Sequence, residues 1–262
     1  MEKQTNKMPD FQVKLNQESS IKHVIGIVSG KGGVGKSFVT ASLANQMKKM
    51  GYRVGILDAD ITGPSIPKMY GLHGNIKGND SGMFPAESEN GVKIMSVNLL
   101  LKNEEEPVIW RGPVLVNVVK QFWSEVVWGD LDYLFIDMPP GTGDVPLTVF
   151  QSLPVDGVII VSSPQELVRM IVTKAYKMAH MMSVPVVGVV ENYSYVECPD
   201  CGKKIEVFGK SDIDEIASDL GTKVLGKMPI RTDYAKSADE GAFSNVLNEY
   251  IDDALTALVQ LS

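Results

Sequence analysis

The sequence predicts an α/β fold: a doubly wound, mostly parallel sheet of about seven strands flanked by helices. Three observations predict it. Runs rich in Val and Ile recur along the 262 residues and alternate with stretches of helical character. Several of these runs are almost continuously apolar, as strands covered on both faces of a parallel sheet must be. The first run leads into a glycine-rich loop and then a helical stretch, the local order of a phosphate-binding loop.

The strand candidates are 23–28, 53–57, 92–97, 132–136, 157–162, 185–191 and 222–227, and helical stretches fill the intervals at 36–50, 113–127, 165–182 and 233–260. In such a sheet ligands collect beyond the carboxyl ends of the strands. Residues 1–20 mix Lys, Gln, Asn, Glu and Ser without periodicity and are expected to form a flexible tail. That leaves 21–262 as a single domain. Two regions read as insertions: Asn75 to Asn90, rich in Gly, Asn and Ser, and about 193–210, which holds both cysteines.

Composition narrows the function. An apolar fraction of 44% and a charged fraction of 22% are globular values. A net charge of −7 gives a nucleic-acid surface no global support, so no nucleic-acid partner is expected. No apolar run is long enough to span a membrane, and Met1 to Ser20 lacks the core of a signal peptide. Two cysteines cannot form a disulfide framework. The expected compartment is the cytoplasm, with no membrane partner.

Gly30-Lys31-Gly32-Gly33-Val34-Gly35-Lys36-Ser37 follows the apolar run Val24-Ile25-Gly26-Ile27-Val28. Its glycines let backbone N–H groups turn inward as an anion nest, and the next helix adds its N-terminal dipole. Lys36 is placed to reach the β- and γ-phosphates of ATP, and the Ser37 hydroxyl to take a Mg2+ position. Lys31, directly after the first glycine, resembles the deviant Walker A ATPases, the group of MinD, ParA and the nitrogenase iron protein. That resemblance implies a P-loop NTPase in which Lys31 reaches across a homodimer to the partner's nucleotide. Phe38 departs from the group, which mostly places there a Thr that touches the α-phosphate; an aromatic side chain cannot make that hydrogen bond.

Carboxylates follow two further strands. Leu57-Asp58-Ala59-Asp60 ends the second, and the resemblance assigns Asp60 the attacking water. Asp58 either supports magnesium through water or caps the next element. Asp137, ending Tyr133-Leu134-Phe135-Ile136, has the Walker B position that holds the magnesium shell. Gly141 in the loop beyond is placed to sense the γ-phosphate with its amide. Asn192, at the end of the sixth strand, either reads adenine or forms a turn. Lys36, Asp60 and Lys31 are the catalytic candidates.

Cys198-Pro199-Asp200-Cys201-Gly202 has the form of a metal knuckle, with both thiolates facing one way and a glycine beneath the turn. Zinc and iron–sulfur clusters are the usual guests of such sites, and a closed site needs about four ligands. His23, His73 and His180 are scattered along the chain, so two knuckles meeting on a twofold axis are the expected source of four thiolates. Sequence chemistry leaves zinc and a cluster both open. Met170, Met178, Met181 and Met182 share one helical stretch and are read as core, with an adaptable surface as the alternative.

Together these residues resemble the Mrp/ApbC-type ATP-dependent iron–sulfur cluster carriers. The resemblance rests on Ser29–Ser37, DADITGPSIP from Asp58, WRGP at Trp110–Pro113, DMPPGTGD at 137–144 and ENYSYVECPDCG from Glu191. It implies slow ATP hydrolysis, a [4Fe–4S] cluster bridging two subunits at Cys198 and Cys201, and delivery to recipient apoproteins, with scaffold proteins as possible donors. A MinD-like spatial regulator is the rival reading, but the terminus Asn248–Ser262 carries acids and no Lys or Arg to meet an anionic membrane. A P-loop enzyme with a structural zinc knuckle is the other rival.

Overall fold

The structure, a computed structural model, describes residues 13–60, 65–74, 76–101, 112–164 and 167–261. The first half holds β1 (Ser20–Val28), α1 (Lys36–Lys49), β2 (Val54–Asp58), α2 (Ile66–Met69), β3 (Gly78–Asn79), β4 (Gly82–Met83), β5 (Ala86–Glu87), β6 (Lys93–Ser96) and α3 (Gly112–Ser124). The second holds β7 (Asp130–Asp137), α4 (Asp144–Ser152), β8 (Gly157–Ser162), α5 (Val168–Met181), β9 (Val186–Glu197), β10 (Lys204–Ile205), α6 (Ile213–Asp219), β11 (Val224–Pro229), α7 (Thr232–Asp239) and α8 (Asp252–Val259).

Seven strands run parallel in the order β11-β9-β8-β1-β7-β2-β6, and these are the seven apolar runs anticipated from the sequence. Short antiparallel strands finish the sheet, β5 beside β6 and β10 beside the far end of β9. Side chains alternate between two cores because strand residues alternate between faces. Val24 and Val28 of β1 join Leu134 and Ile136 in a core covered by α3, α4, α5 and α6. Ile25 and Ile27 join Tyr133 and Phe135 in the opposite core, under α1, α2 and α8.

The topology brings the anticipated motifs together. The chain steps outward from β1 to β2 and β6, returns through β7, then continues on the other side through β8, β9 and β11. This reversal is the switch point at which doubly wound sheets bind ligands. In register, Asp137 lies beside Ile27 of β1 and Asp58 of β2, and Asp58 lies beside Ser96 of β6.

Four segments differ from expectation. Residues 13–19, expected to be loose, are tied down: the Val13 N–H donates to Ser152 O at 2.9 Å, and Trp123 Nε1 donates to Val13 O at 2.9 Å. Val13 and Leu15 also pack on the first core. Residues 1–12 lie outside the described residues. The sixth strand does not stop at Asn192; β9 runs on to Glu197 and folds back as a hairpin with β10. The long C-terminal helix is two, α7 and α8, because Gly241 takes φ 70° just after α7, and Asn248 caps a short turn through the Tyr250 N–H. Of the methionines in α5, Met178 is buried but Met170 and Met181 are exposed.

Candidate nucleotide site and cysteine hairpin

The loop between β1 and α1 is shaped by glycines acting for different reasons. Gly33 and Gly35 take φ 77° and 78°, a left-handed conformation that side chains other than glycine's resist. A Cβ on Gly35 would also fall 2.1 Å from Asn192 Nδ2. Gly30 instead makes room for α5: a Cβ there would lie 2.3 Å from Ile171 Cγ2. Of the anticipated loop residues, Gly32, Gly33, Val34, Gly35, Lys36, Ser37 and Phe38 line a cavity of about 680 Å³, whereas Gly30 and Lys31 do not. Lys31 is half-buried in the loop.

Lys36 opens α1 and is almost wholly buried, with Nζ 2.8 Å from Asp137 Oδ1 and 3.4 Å from Asp60 Oδ2. Burial alone would lower its pKa, but Asp137 and Asp60 outweigh that and hold it above the ordinary lysine value. An ammonium carries three donors, so with these two carboxylates beside it Lys36 keeps at least one to give. The buried Ser29 hydroxyl has no hydrogen-bond partner. A phosphate chain laid along the loop would satisfy both groups.

Asp137 accepts from Ser37 Oγ at 2.5 Å and from Thr40 Oγ1 at 2.8 Å. Asp58 is fully buried, accepts from Ser96 Oγ at 3.0 Å and receives the Asp60 N–H at 3.1 Å. Burial first, then the neighbouring Asp137, pushes the Asp58 carboxyl well above the usual carboxylate range, with Lys36 pulling the other way. Of the three carboxylates only Asp60 lines the cavity. The Ser37 hydroxyl and the Asp137 carboxylate beside it are hard oxygen donors of the kind that would hold Mg2+ together with phosphate oxygens and water. Thr40 and Ser96 were not anticipated. Thr40 was detectable in principle, since it stands three residues after Ser37 on one helix face.

Three anticipated residues are otherwise engaged. Asn192 is buried, and its Nδ2 donates to Val34 O at 3.0 Å, so this amide braces the phosphate loop. The Gly141 amide donates to Ser29 O at 2.8 Å, with φ 91° at Gly141. Phe38 packs edge-on against Phe243 at 5.2 Å and lies 5.4 Å from the Tyr234 ring, which gives the cavity an aromatic wall. The Arg231 guanidinium lies 4.9 Å over that Tyr234 ring. Ile61–Gly63 and Pro64 of the DADITGPSIP stretch, and Trp110 and Arg111, lie outside the described residues, while Gly112 opens α3.

Cys198 and Cys201 sit at the tip of the β9–β10 hairpin, Cys198 half-buried and Cys201 exposed, both as free thiols. The Cys198 N–H donates to Lys203 O at 3.0 Å, the Gly202 N–H donates to Cys198 O at 2.9 Å, and Gly202 takes φ 68°. Backbone amides of Asp200 and Cys201, with the Cys201 thiol, lower the Cys198 pKa. Among the described residues no group of three or more His, Cys, Asp and Glu is placed to hold a metal ion. One hairpin therefore offers two thiolates. No described helix is long and apolar enough to cross a membrane.

Residues 20–260 match the ParA family model described as NUBPL iron-transfer P-loop NTPase. The chain is 49% identical over 230 residues to an iron–sulfur cluster carrier protein of Clostridium perfringens, covering 85% of this chain and 81% of that one. A protein of the same description from Methanocaldococcus jannaschii is 46% identical over 234 residues, covering 88% and 80%. Among solved structures, a nucleotide-binding protein of Archaeoglobus fulgidus in complex with ADP superposes with a TM-score of 0.80 at 42% identity, covering 88% of this chain and 90% of that one. The MinD of an Aquifex aeolicus MinC:MinD complex shares the fold, with a TM-score of 0.65 at 19% identity over 92% and 96% of the two chains. With its phosphate loop, its buried lysine–aspartate cluster and its cysteine hairpin on one parallel sheet, the chain belongs to the NUBPL-type iron-transfer P-loop NTPases of the ParA family.

Proposed function

We propose that this protein is an ATP-hydrolysing iron–sulfur cluster carrier, in which two copies hold one cluster between their cysteine hairpins and pass it to apoproteins. The observation that carries the reading is the hairpin itself. It presents two thiolates at a solvent-facing tip, and two hairpins related by a twofold axis supply the four thiolates of a [4Fe–4S] cluster. The relatives' description as cluster carriers supports the same cargo. Thiolates are soft ligands suited to iron–sulfur cargo, so the cluster needs no oxygen donors from the hairpin.

The nucleotide side is assigned on the same footing. Lys36 binds the β- and γ-phosphates and is held in place by Asp137 and Asp60. Ser37 and Asp137 hold Mg2+, which when bound neutralises charge developing on the phosphates. Asp58 supports that shell from behind. Asp60, the carboxylate facing the cavity, orients water. Lys31, outside the cavity of its own chain, reaches the partner's nucleotide. The Gly141 amide senses the γ-phosphate by giving up its bond to Ser29 O.

Anaerobic reconstitution with iron and sulfide tests the reading. The expected product is a dimer with about four iron per pair of chains and a cluster absorption band, lost in Cys198→Ser and Cys201→Ser. Stoichiometric zinc in place of iron, or normal cluster loading by either serine variant, would defeat it.

A further inference from the structure

Glu191, Asn192 and Tyr193 are consecutive in β9, and each is tied to something different. Asn192 Nδ2 holds the Val34 carbonyl of the phosphate loop, and its amide sits directly against Gly35. Tyr193 lines the nucleotide cavity and takes φ 58° in the middle of a strand, a left-handed conformation that an aromatic residue adopts only when its surroundings enforce it. Glu191 is wholly buried. Its carboxylate accepts from Ser194 Oγ at 2.6 Å and from Ser211 Oγ on the other oxygen. Ser194 lies where the chain leaves for the cysteine hairpin, and Ser211 lies where it comes back. Ser211 Oγ in turn accepts the Ile213 N–H at the start of α6.

We propose that this triplet couples the phosphate loop to the cysteine hairpin, with Glu191 as the positioning residue that clamps both limbs of the hairpin excursion. When the loop closes on phosphate, the Val34 carbonyl and Gly35 move, and Asn192 and Tyr193 move with them. The kink at Tyr193 divides β9, so displacement at Asn192 changes the direction of the outer half that ends at Cys198. The clamp makes the response concerted: outgoing and returning limbs are fixed to one carboxylate, so the tip swings as a unit. Glu suits this position because a carboxylate accepts from both hydroxyls, whereas an amide must reverse one of the two bonds and trade charge-assisted contacts for weaker neutral ones.

The inference rests on the carrier reading for its purpose, but its test does not. Cys198 and Cys201 are the only cysteines of the chain, so Ellman's reagent applied to the reduced full-length protein reads the hairpin alone. With magnesium and a non-hydrolysable ATP analogue, the thiol reaction rate should change by about fivefold, a typical coupling between sites. In Ser211→Ala and Glu191→Gln the change should shrink to less than about twofold, while affinity for a fluorescent ATP analogue stays within about threefold of the parent. If Glu191→Gln fails to fold, Ser211→Ala carries the test. A thiol rate indifferent to saturating nucleotide in the parent, or a full response in a folded variant, would overturn the coupling. Thiols that respond in a protein that never loads a cluster would sink the carrier reading and leave the coupling standing. A cluster loaded normally with no thiol response would do the reverse.

Discussion

Replacing Lys36 by alanine should cost far more than a surface charge, because its ammonium is the counter-charge of a buried acidic cluster. Asp137 and Asp58 are almost completely inaccessible and Asp60 nearly so, and Lys36 touches two of the three. Removing one partner of a buried ion pair typically costs about 3–5 kcal/mol, since the remaining charge is stranded. At about 2–4 °C per kcal/mol for a domain near this size, the melting temperature should fall by roughly 6–20 °C. The loss must also depend on pH. The folded-state pKa of Asp58 is raised, so its contribution is complete below the ordinary carboxylate range and fades as pH rises through the raised value. Lys36 restrains that rise, so without it the penalty grows. The gap between variant and parent should therefore be wider near pH ~7.5 than near pH ~5, read by urea denaturation at both. ATP turnover should fall to background. A loss below about 1 kcal/mol, or a gap that widens toward acid, would refute the picture of a lysine balancing buried carboxylates.

Asp58→Asn removes a desolvated charge while keeping the shape, and should raise the unfolding free energy near neutral pH by about 1–2 kcal/mol, with the gain vanishing toward acid. Destabilisation in the same denaturation experiment would count against it. Gly33→Ala and Gly35→Ala should separate two costs. A Cβ on Gly33 meets nothing within 4 Å and adds only backbone strain of about 1–2 kcal/mol, whereas one on Gly35 also strikes Asn192. Calorimetry and nucleotide titration should both rank Gly35→Ala as the worse, and equal effects would show that Asn192 yields freely. Phe38→Thr should act in opposite directions. It loses two ring contacts worth about 0.5–1.5 kcal/mol each, yet the new hydroxyl should tighten ADP binding by about tenfold, measured by isothermal titration.

The architecture was legible because the seven parallel strands are apolar enough to mark themselves, and the loop, Asp58, Asp60 and Asp137 each stand at the end of one. The missing pieces are partnerships made in space. Nothing local says that Asn192 will meet Val34, or that Phe38 will settle between Tyr234 and Phe243 from the far end of the chain. The outer half of β9 reads as a loop because Glu191, Asn192, Tyr193 and Ser194 are polar or turn-prone, and the kink at Tyr193 is a tertiary effect. Val13 and Leu15 were hidden among charged and amide side chains, though they dock against α3 and α4. Short α4 and α6 gave too few turns for a period to emerge.

The reach of β9 has a bearing on metal traffic. From Asn192 the strand and its turn carry six residues to Cys198, up to about 20 Å at the rise of an extended chain. If, as proposed, the chain holds a hard ion among oxygen donors and soft cargo on sulfur, it must stop each from sampling the other's ligands. Thiolates beside the phosphate loop would compete for whatever divalent ion arrived there, and iron held close to Asp60 would invite hydrolytic loss. On the proposed reading, the length of β9 keeps the two sets of ligands apart, leaving the sulfur end open to be met by another macromolecule while the oxygen end stays sheltered.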